Sequence, residues 1–170
     1  MNSFIINGKA YSSSINIYSF YNASRSLNIT TPELIENVCN KVDLEAIGEL
    51  VYWSIYYNHK EFTFDEIYNM DLLEVYDIVT PLVQAIVDSL KISDISDKNN
   101  NSSSKYDESD WDYEHFEYIH ISLLGRSEES FWGMTPKKIL NQFDIYCKMN
   151  GLQTVEEQKP KVEEKYIDEL

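Results

Sequence analysis

The side chains able to do chemistry are few and poorly spaced for it. His115 and His120 lie near Glu114 and Glu117, types that can ligate a metal. A five-residue interval, however, turns the two imidazoles onto poorly matched helix faces, and no His-Glu-x-x-His run is present. The adjacent carboxylates Asp65-Glu66 and Glu128-Glu129 would suit proton transfer if they converged on a substrate. Both pairs instead sit where a helix should begin, and negative charge there favours the helix dipole. Cys39 and Cys147 are far apart with no Cys-x-x-Cys, which suggests buried thiols on apolar helical faces rather than a metal or disulfide framework. The five glycines form no phosphate loop, and no nucleophile elbow occurs. The expectation is a non-enzymatic protein with no metal and no cofactor.

The most structured stretch of sequence runs from Leu123 to Gly151. Thr135 can accept a hydrogen bond from an early backbone N–H, and Pro136 stands at the first helical position, where a missing donor costs nothing. Ile139, Leu140, Phe143, Tyr146 and Cys147 then recur at the spacing of one apolar helix face, and Asn150-Gly151 should end the helix. Upstream, Gly125 should close another helix, and Ser127-Glu128-Glu129 forms an acidic first turn leading into Phe131 and Trp132. Two large aromatics are thereby held in a short segment between two capped helices. Local physics favours their pinning this turn onto the Trp111 to Leu124 helix over anchoring another protein, although buried aromatics do dominate interface energies. Lys137 and Lys138 should face solvent beside the turn.

The run Leu123-Leu124-Gly125-Arg126-Ser127-Glu128-Glu129-Ser130-Phe131-Trp132-Gly133-Met134-Thr135-Pro136-Lys137-Lys138, followed by an amphipathic helix, resembles the C-terminal part of tail assembly chaperones of long-tailed bacteriophages and prophages. The family pattern is a small-residue turn, acidic residues, Phe-Trp, one or two residues, then Thr-Pro and a basic residue opening a helix. The resemblance implies an N-terminal region that coats the tape measure protein and a C-terminal module that recruits major tail tube protein subunits. It also implies partner contacts at Phe131, Trp132, Met134, Thr135, Pro136, Lys137 and Lys138, residence in the host bacterial cytoplasm, and absence from the mature particle.

Charge and composition fit a protein that works on other proteins. The chain has 170 residues, 43% hydrophobic and 14% aromatic, with a net charge of −15. That is enough apolar material for a modest core, and thirteen tyrosines suggest much amphipathic contact surface. The negative charge disfavours nucleic acid or an anionic membrane as partner. Two other protein-directed roles compete: a structural tail or connector component retained in the particle, and an acidic DNA mimic that inhibits a basic protein. The uneven distribution of charge along the chain argues against the mimic. The N-terminal residues lack the basic start and long apolar run of a signal peptide, and no stretch approaches the ~18 apolar residues that span a bilayer, so a cytosolic protein is expected.

The remaining elements follow from local signals. Phe4-Ile5-Ile6, Asn7-Gly8 and Lys9-Ala10-Tyr11 predict a small hairpin, because Asn-Gly readily takes the positive φ angles of a tight turn. Ser14 is the candidate cap of a helix through Ile17, Tyr18, Tyr21 and Leu27. Thr30-x-x-Glu33, Thr63-x-x-Glu66 and Asp71-x-x-Glu74 fit capping boxes, and Asp43 caps a helix apolar on more than one side. That helix suits burial in its own subunit first and a homo-oligomer interface second. Thr80-Pro81 should break or restart the helix before Leu82, Val83, Ile86, Val87 and Leu90. The predicted fold is mainly α. An N-terminal helical chaperone domain with a β-hairpin at its start spans 1–92, a Ser/Asp/Asn/Lys-rich flexible linker 93–110, a C-terminal helical module 111–151, and a charged tail 152–170.

Overall fold

A computed structural model of the chain describes residues 2–90 and 110–152. The linker expected over 93–110 and the tail over 152–170 fall outside these residues, apart from Asp110 and Leu152. The protein is mainly helical, with a two-stranded antiparallel hairpin at its N-terminal end.

The hairpin is β1 (Asn2–Ile6) and β2 (Lys9–Ser13), with Phe4 opposite Tyr11 and Ile6 opposite Lys9. Asn7 and Gly8 take φ of 50° and 73°, the paired positive values that match the twist of two strands joined by two residues. Phe4, Ile6 and Tyr11 point inward while Ile5 and Ala10 point to solvent, so alternation places one face of the ribbon on the helices.

Five helices follow in the N-terminal part: α1 (Ile17–Leu27), α2 (Thr31–Glu36), α3 (Leu44–Tyr56), α4 (Phe64–Tyr68) and α5 (Leu72–Ser89). A π-helical turn, Asn37–Lys41, extends α2 and closes on Val42 at φ 53°. α3 is the centre of the core: Ala46, Ile47, Leu50, Val51 and Ile55 are all buried and pack with Phe20, Leu34, Phe62, Leu82 and Ile86. Asp43 starts α3 by accepting the Ala46 N–H at 2.9 Å, and Asp71 and Glu74 make the reciprocal pair of a full capping box on α5.

Three local expectations are corrected. Asn16, not Ser14, caps α1, accepting the Ser19 N–H at 2.9 Å. Ser14 is drawn elsewhere: its N–H donates to the Ser54 carbonyl and its hydroxyl accepts from Asn58 Nδ2. Thr63 precedes α4 but makes no side-chain cap bond. Pro81 does not break α5, which continues through it. Its ring lies on the exposed side, as does Asp77 four residues earlier, so water can satisfy the carbonyl that loses its partner. Ile78, Leu82, Ala85 and Ile86 hold the helix to the core on both sides of the proline.

The C-terminal residues form α6 (Tyr113–Glu117), a π-helical turn (Tyr118–Leu123), α7 (Glu128–Trp132) and α8 (Pro136–Met149). Trp111 stands before the helix expected to contain it, because Asp112 caps α6 by accepting the His115 N–H. Gly125 takes φ 63°, a left-handed position that ends the π turn and suits a residue without a Cβ.

The C-terminal helices lie directly on α1. Ile17, the first residue of α1, is buried in a second cluster with Tyr113, Ile119, Phe131 and Ile139. Its N–H donates to the Met134 carbonyl at 2.8 Å. The Thr31 hydroxyl and the Tyr113 hydroxyl are 2.6 Å apart, and the Thr31 N–H donates to Asp110 Oδ1 at 2.8 Å. Arg25 pairs with Asp110 at 3.2 Å, and Trp111 meets the Phe20 ring edge-on. Burial drives the Tyr113 phenol far above its ordinary pKa, so it stays a neutral hydrogen-bonding group.

Candidate functional site

The residues from Phe131 to Lys138 are brought together in one corner of the fold, but they do not share one surface. Phe131 and Trp132 belong to a short helix of their own rather than to a turn between helices. Ser127 caps it by accepting the Ser130 N–H at 3.2 Å, and Glu128 and Glu129 supply negative charge in its first turn. Phe131 is 1% exposed. Trp132 is half-buried and lies edge-on to Tyr18 and Tyr21 of α1, with centroids 6.4 and 5.5 Å away. Trp132 thus reaches α1, while Phe131 packs on the Trp111 to Leu124 segment, as expected, through Tyr113, Ile119 and His120.

Gly133 then passes close to the side chain of Tyr57, the residue after α3: a Cβ there would lie 2.5 Å from the Tyr57 hydroxyl oxygen. A side chain at this position would require the half-buried Tyr57 ring to shift. Met134 is half-buried and its carbonyl is occupied by Ile17. Thr135 accepts the Lys138 N–H at 3.3 Å and Pro136 is buried at the first position of α8, so both serve the helix start. Lys137 is half-buried and Lys138 exposed. Of the seven candidates, Phe131 and Pro136 are buried, whereas Trp132, Met134, Thr135 and Lys137 are half-buried and Lys138 is exposed.

His120 is fully buried behind this corner. Its Nε2 is 2.8 Å from the Ser130 hydroxyl, while Nδ1 has no hydrogen-bond partner. His115 is exposed, so the two imidazoles do not converge. Among the described residues, no group of three His, Cys, Asp or Glu side chains is placed to hold a metal. Cys147 is buried and Cys39 half-buried, and both are free thiols.

Burial, and secondarily the Arg126 charge, lowers the His120 pKa below its ordinary value. An unfolded histidine titrates near about 6.5, so between the two values the unfolded chain binds more protons than the folded one. Stability then rises with pH across that window and falls as pH drops through it. The urea midpoint should decrease from pH 7.5 toward acid, and His120→Asn should flatten the slope relative to the parent chain. Equal slopes in the two proteins would remove His120 from the account.

Sequence reasoning did not single out the apolar side chains left on the surface. Tyr68, Leu72, Leu73 and Tyr76 at the α4–α5 junction are exposed, as are Ile145 and Met149 on α8. The signal was legible: residues 72–79 are apolar at six of eight positions, too many for one helix face. A shallow depression of about 230 Å³ beside α8 is lined by Leu124, Arg126, Gln142, Ile145, Tyr146 and Met149. On the α1–α3 side, Lys60 sits over the rings of Tyr18, Tyr56 and Tyr57 at 5.0, 4.4 and 5.8 Å, an internal cation–π arrangement. No helix among the described residues is long and apolar enough to cross a membrane. Comparison with family models, curated proteins and solved structures found no match.

Proposed function

We propose that this chain is a phage or prophage tail assembly chaperone, which shields the tape measure protein and recruits major tail tube subunits without making or breaking a bond. The reading rests on the resemblance of Leu123 to Lys138 to that family. The structural observation that supports it is the number of large apolar side chains left in solvent on a strongly acidic protein, Leu72, Leu73, Tyr76, Ile145 and Met149 among them. Exposed apolar surface of this kind suits reversible contact with other polypeptides. It also favours a protein-shielding role over a DNA mimic, whose contact surface would be charged. In this reading α7 and the start of α8 offer Trp132, Met134, Lys137 and Lys138 to tube subunits, while Phe131, Thr135 and Pro136 hold those residues in place.

Co-expression of the full chain with the tape measure and tail tube proteins tests it. The parent chain should capture both, and Lys137→Glu with Lys138→Glu should lose tube subunits while keeping the tape measure. Finished particles should lack the chain. Capture of neither protein would end the chaperone assignment, and stoichiometric retention in particles would assign a structural tail or connector role instead.

A further inference from the structure

Over its first half, α5 is apolar on two opposite sides. Ile78 and, further along, Leu82, Ala85 and Ile86 face the core. Leu72, Leu73 and Tyr76 point the other way and are 68%, 74% and 73% exposed. Residues three and four apart on a helix are neighbours, so Tyr76 touches the ground covered by both leucines and the three form one strip. A helix that completes its packing within its own subunit carries polar residues on this side. Among the described residues nothing covers this strip, and adjacent apolar area of this kind suits burial under another apolar surface.

Charge selects the partner. Residues 61–90 hold seven carboxylates and no lysine or arginine. Asp71 begins α5 and Asp77 stands one position beyond Tyr76, both exposed. A second copy of this chain would bring the same acidic border against itself, and like charges set face to face oppose association. Anionic lipid or nucleic acid is disfavoured for the same reason. An apolar stripe edged with positive charge satisfies both the strip and its border, and a helix laid in register provides such a stripe at i, i+3/i+4 spacing.

We infer that the Leu72, Leu73 and Tyr76 face of α5 is a docking surface for an amphipathic helix whose apolar stripe is bordered by lysine or arginine. The inference deepens the chaperone reading by naming the surface that covers the tape measure protein, and rests on that reading only for the owner of the helix.

The test uses the full chain and three labelled synthetic peptides: an amphipathic helix with lysine borders, the same helix with glutamate borders, and the lysine peptide in scrambled order. Fluorescence anisotropy should show binding of the first only, weakening as salt is raised. Leu73→Ser with Tyr76→Ser, both exposed and therefore compatible with an unchanged fold by circular dichroism, should weaken it by about tenfold or more. Equal binding of the lysine and glutamate peptides, or equal binding by parent and double variant, would overturn the inference. So would a dimer in sedimentation that the double variant disperses, since that assigns the face to a second copy. Capture of co-expressed tape measure protein separates the two proposals. If the double variant captures it as well as the parent does, this face is not what covers the tape measure protein and the chaperone reading stands. If the peptides behave as expected and no tail protein is captured, the face stands and the chaperone reading falls.

Discussion

Phe131→Ala should destabilise the protein by about 3–5 kcal/mol, the usual cost of deleting a buried phenylalanine ring. The ring is 1% exposed, and its cluster draws Ile17 from α1, Tyr113 from α6, Ile119 from the π turn and Ile139 from α8. Four separate segments cannot all move inward to fill the space, so the cavity term should be near its full value. Trp132 and His120 lie against the same ring, with centroids 5.1 and 5.9 Å away, and both should loosen. Total stability of a domain is about 5–15 kcal/mol, so the change should be plain in a urea titration: a lower midpoint at similar slope. Phe131→Leu, which keeps most of the volume, should cost much less. A loss below about 1 kcal/mol for the alanine variant would mean that Phe131 is not held in the core, and would restore it as a direct partner anchor. With the predicted loss, a binding defect in Phe131→Ala reports on folding, and contact with a partner is better probed at Lys137 and Lys138.

The parts of this fold legible in the sequence are those decided within a few residues. Asn7-Gly8, Asp43, Asp71-Glu74, Ser127 and Thr135-Pro136 each act on their own neighbours, and each stands where its type predicts. Ser14 shows where that logic stops. It is as good a cap as Asn16 by type, but Asn58 and Ser54 claim it from 40 and more residues away, leaving Asn16 to begin the helix. Pro81 fails the same way in the other direction, because core contacts on both sides outweigh one lost backbone bond. The π turns at Asn37–Lys41 and Tyr118–Leu123 shift the apolar stripe by one residue without any marker in composition.

The candidate site divides along the same line. The Ser127 and Thr135-Pro136 starts on either side of Phe131 and Trp132 are local and legible, whereas the sequence reading left the two aromatics between helices and they lie in α7 itself. Which of the two faces inward depends on α1, more than 100 residues earlier, whose Ile17, Tyr18 and Tyr21 meet them. The outward leucines of α5 are legible as an excess of apolar positions, but an excess identifies a second apolar side only once the first is known.

Cutting the chain after Ile92 should weaken the N-terminal part well beyond the loss of a neighbouring domain. Ile17 would become exposed in the first turn of α1, losing about 1.5–3 kcal/mol of burial. Phe20 would lose Trp111, and the buried Thr31 hydroxyl would lose Tyr113. The Ile17 N–H would trade the Met134 carbonyl for water. Together these should lower the urea midpoint of the 1–92 fragment and expose dye-binding apolar surface along α1. In the full chain, Ile17→Ala should cost about 2–5 kcal/mol and shift one transition, seen alike by the fluorescence of Trp53 in α3 and Trp132 in α7 when each is left as the only tryptophan. Independent halves would behave otherwise: the fragment would keep the parent midpoint, and Ile17→Ala would move only the Trp132 signal. Ile17 is buried by Tyr113, Ile119, Phe131 and Ile139 together, so α1 and the C-terminal helices should gain and lose their packing as one unit.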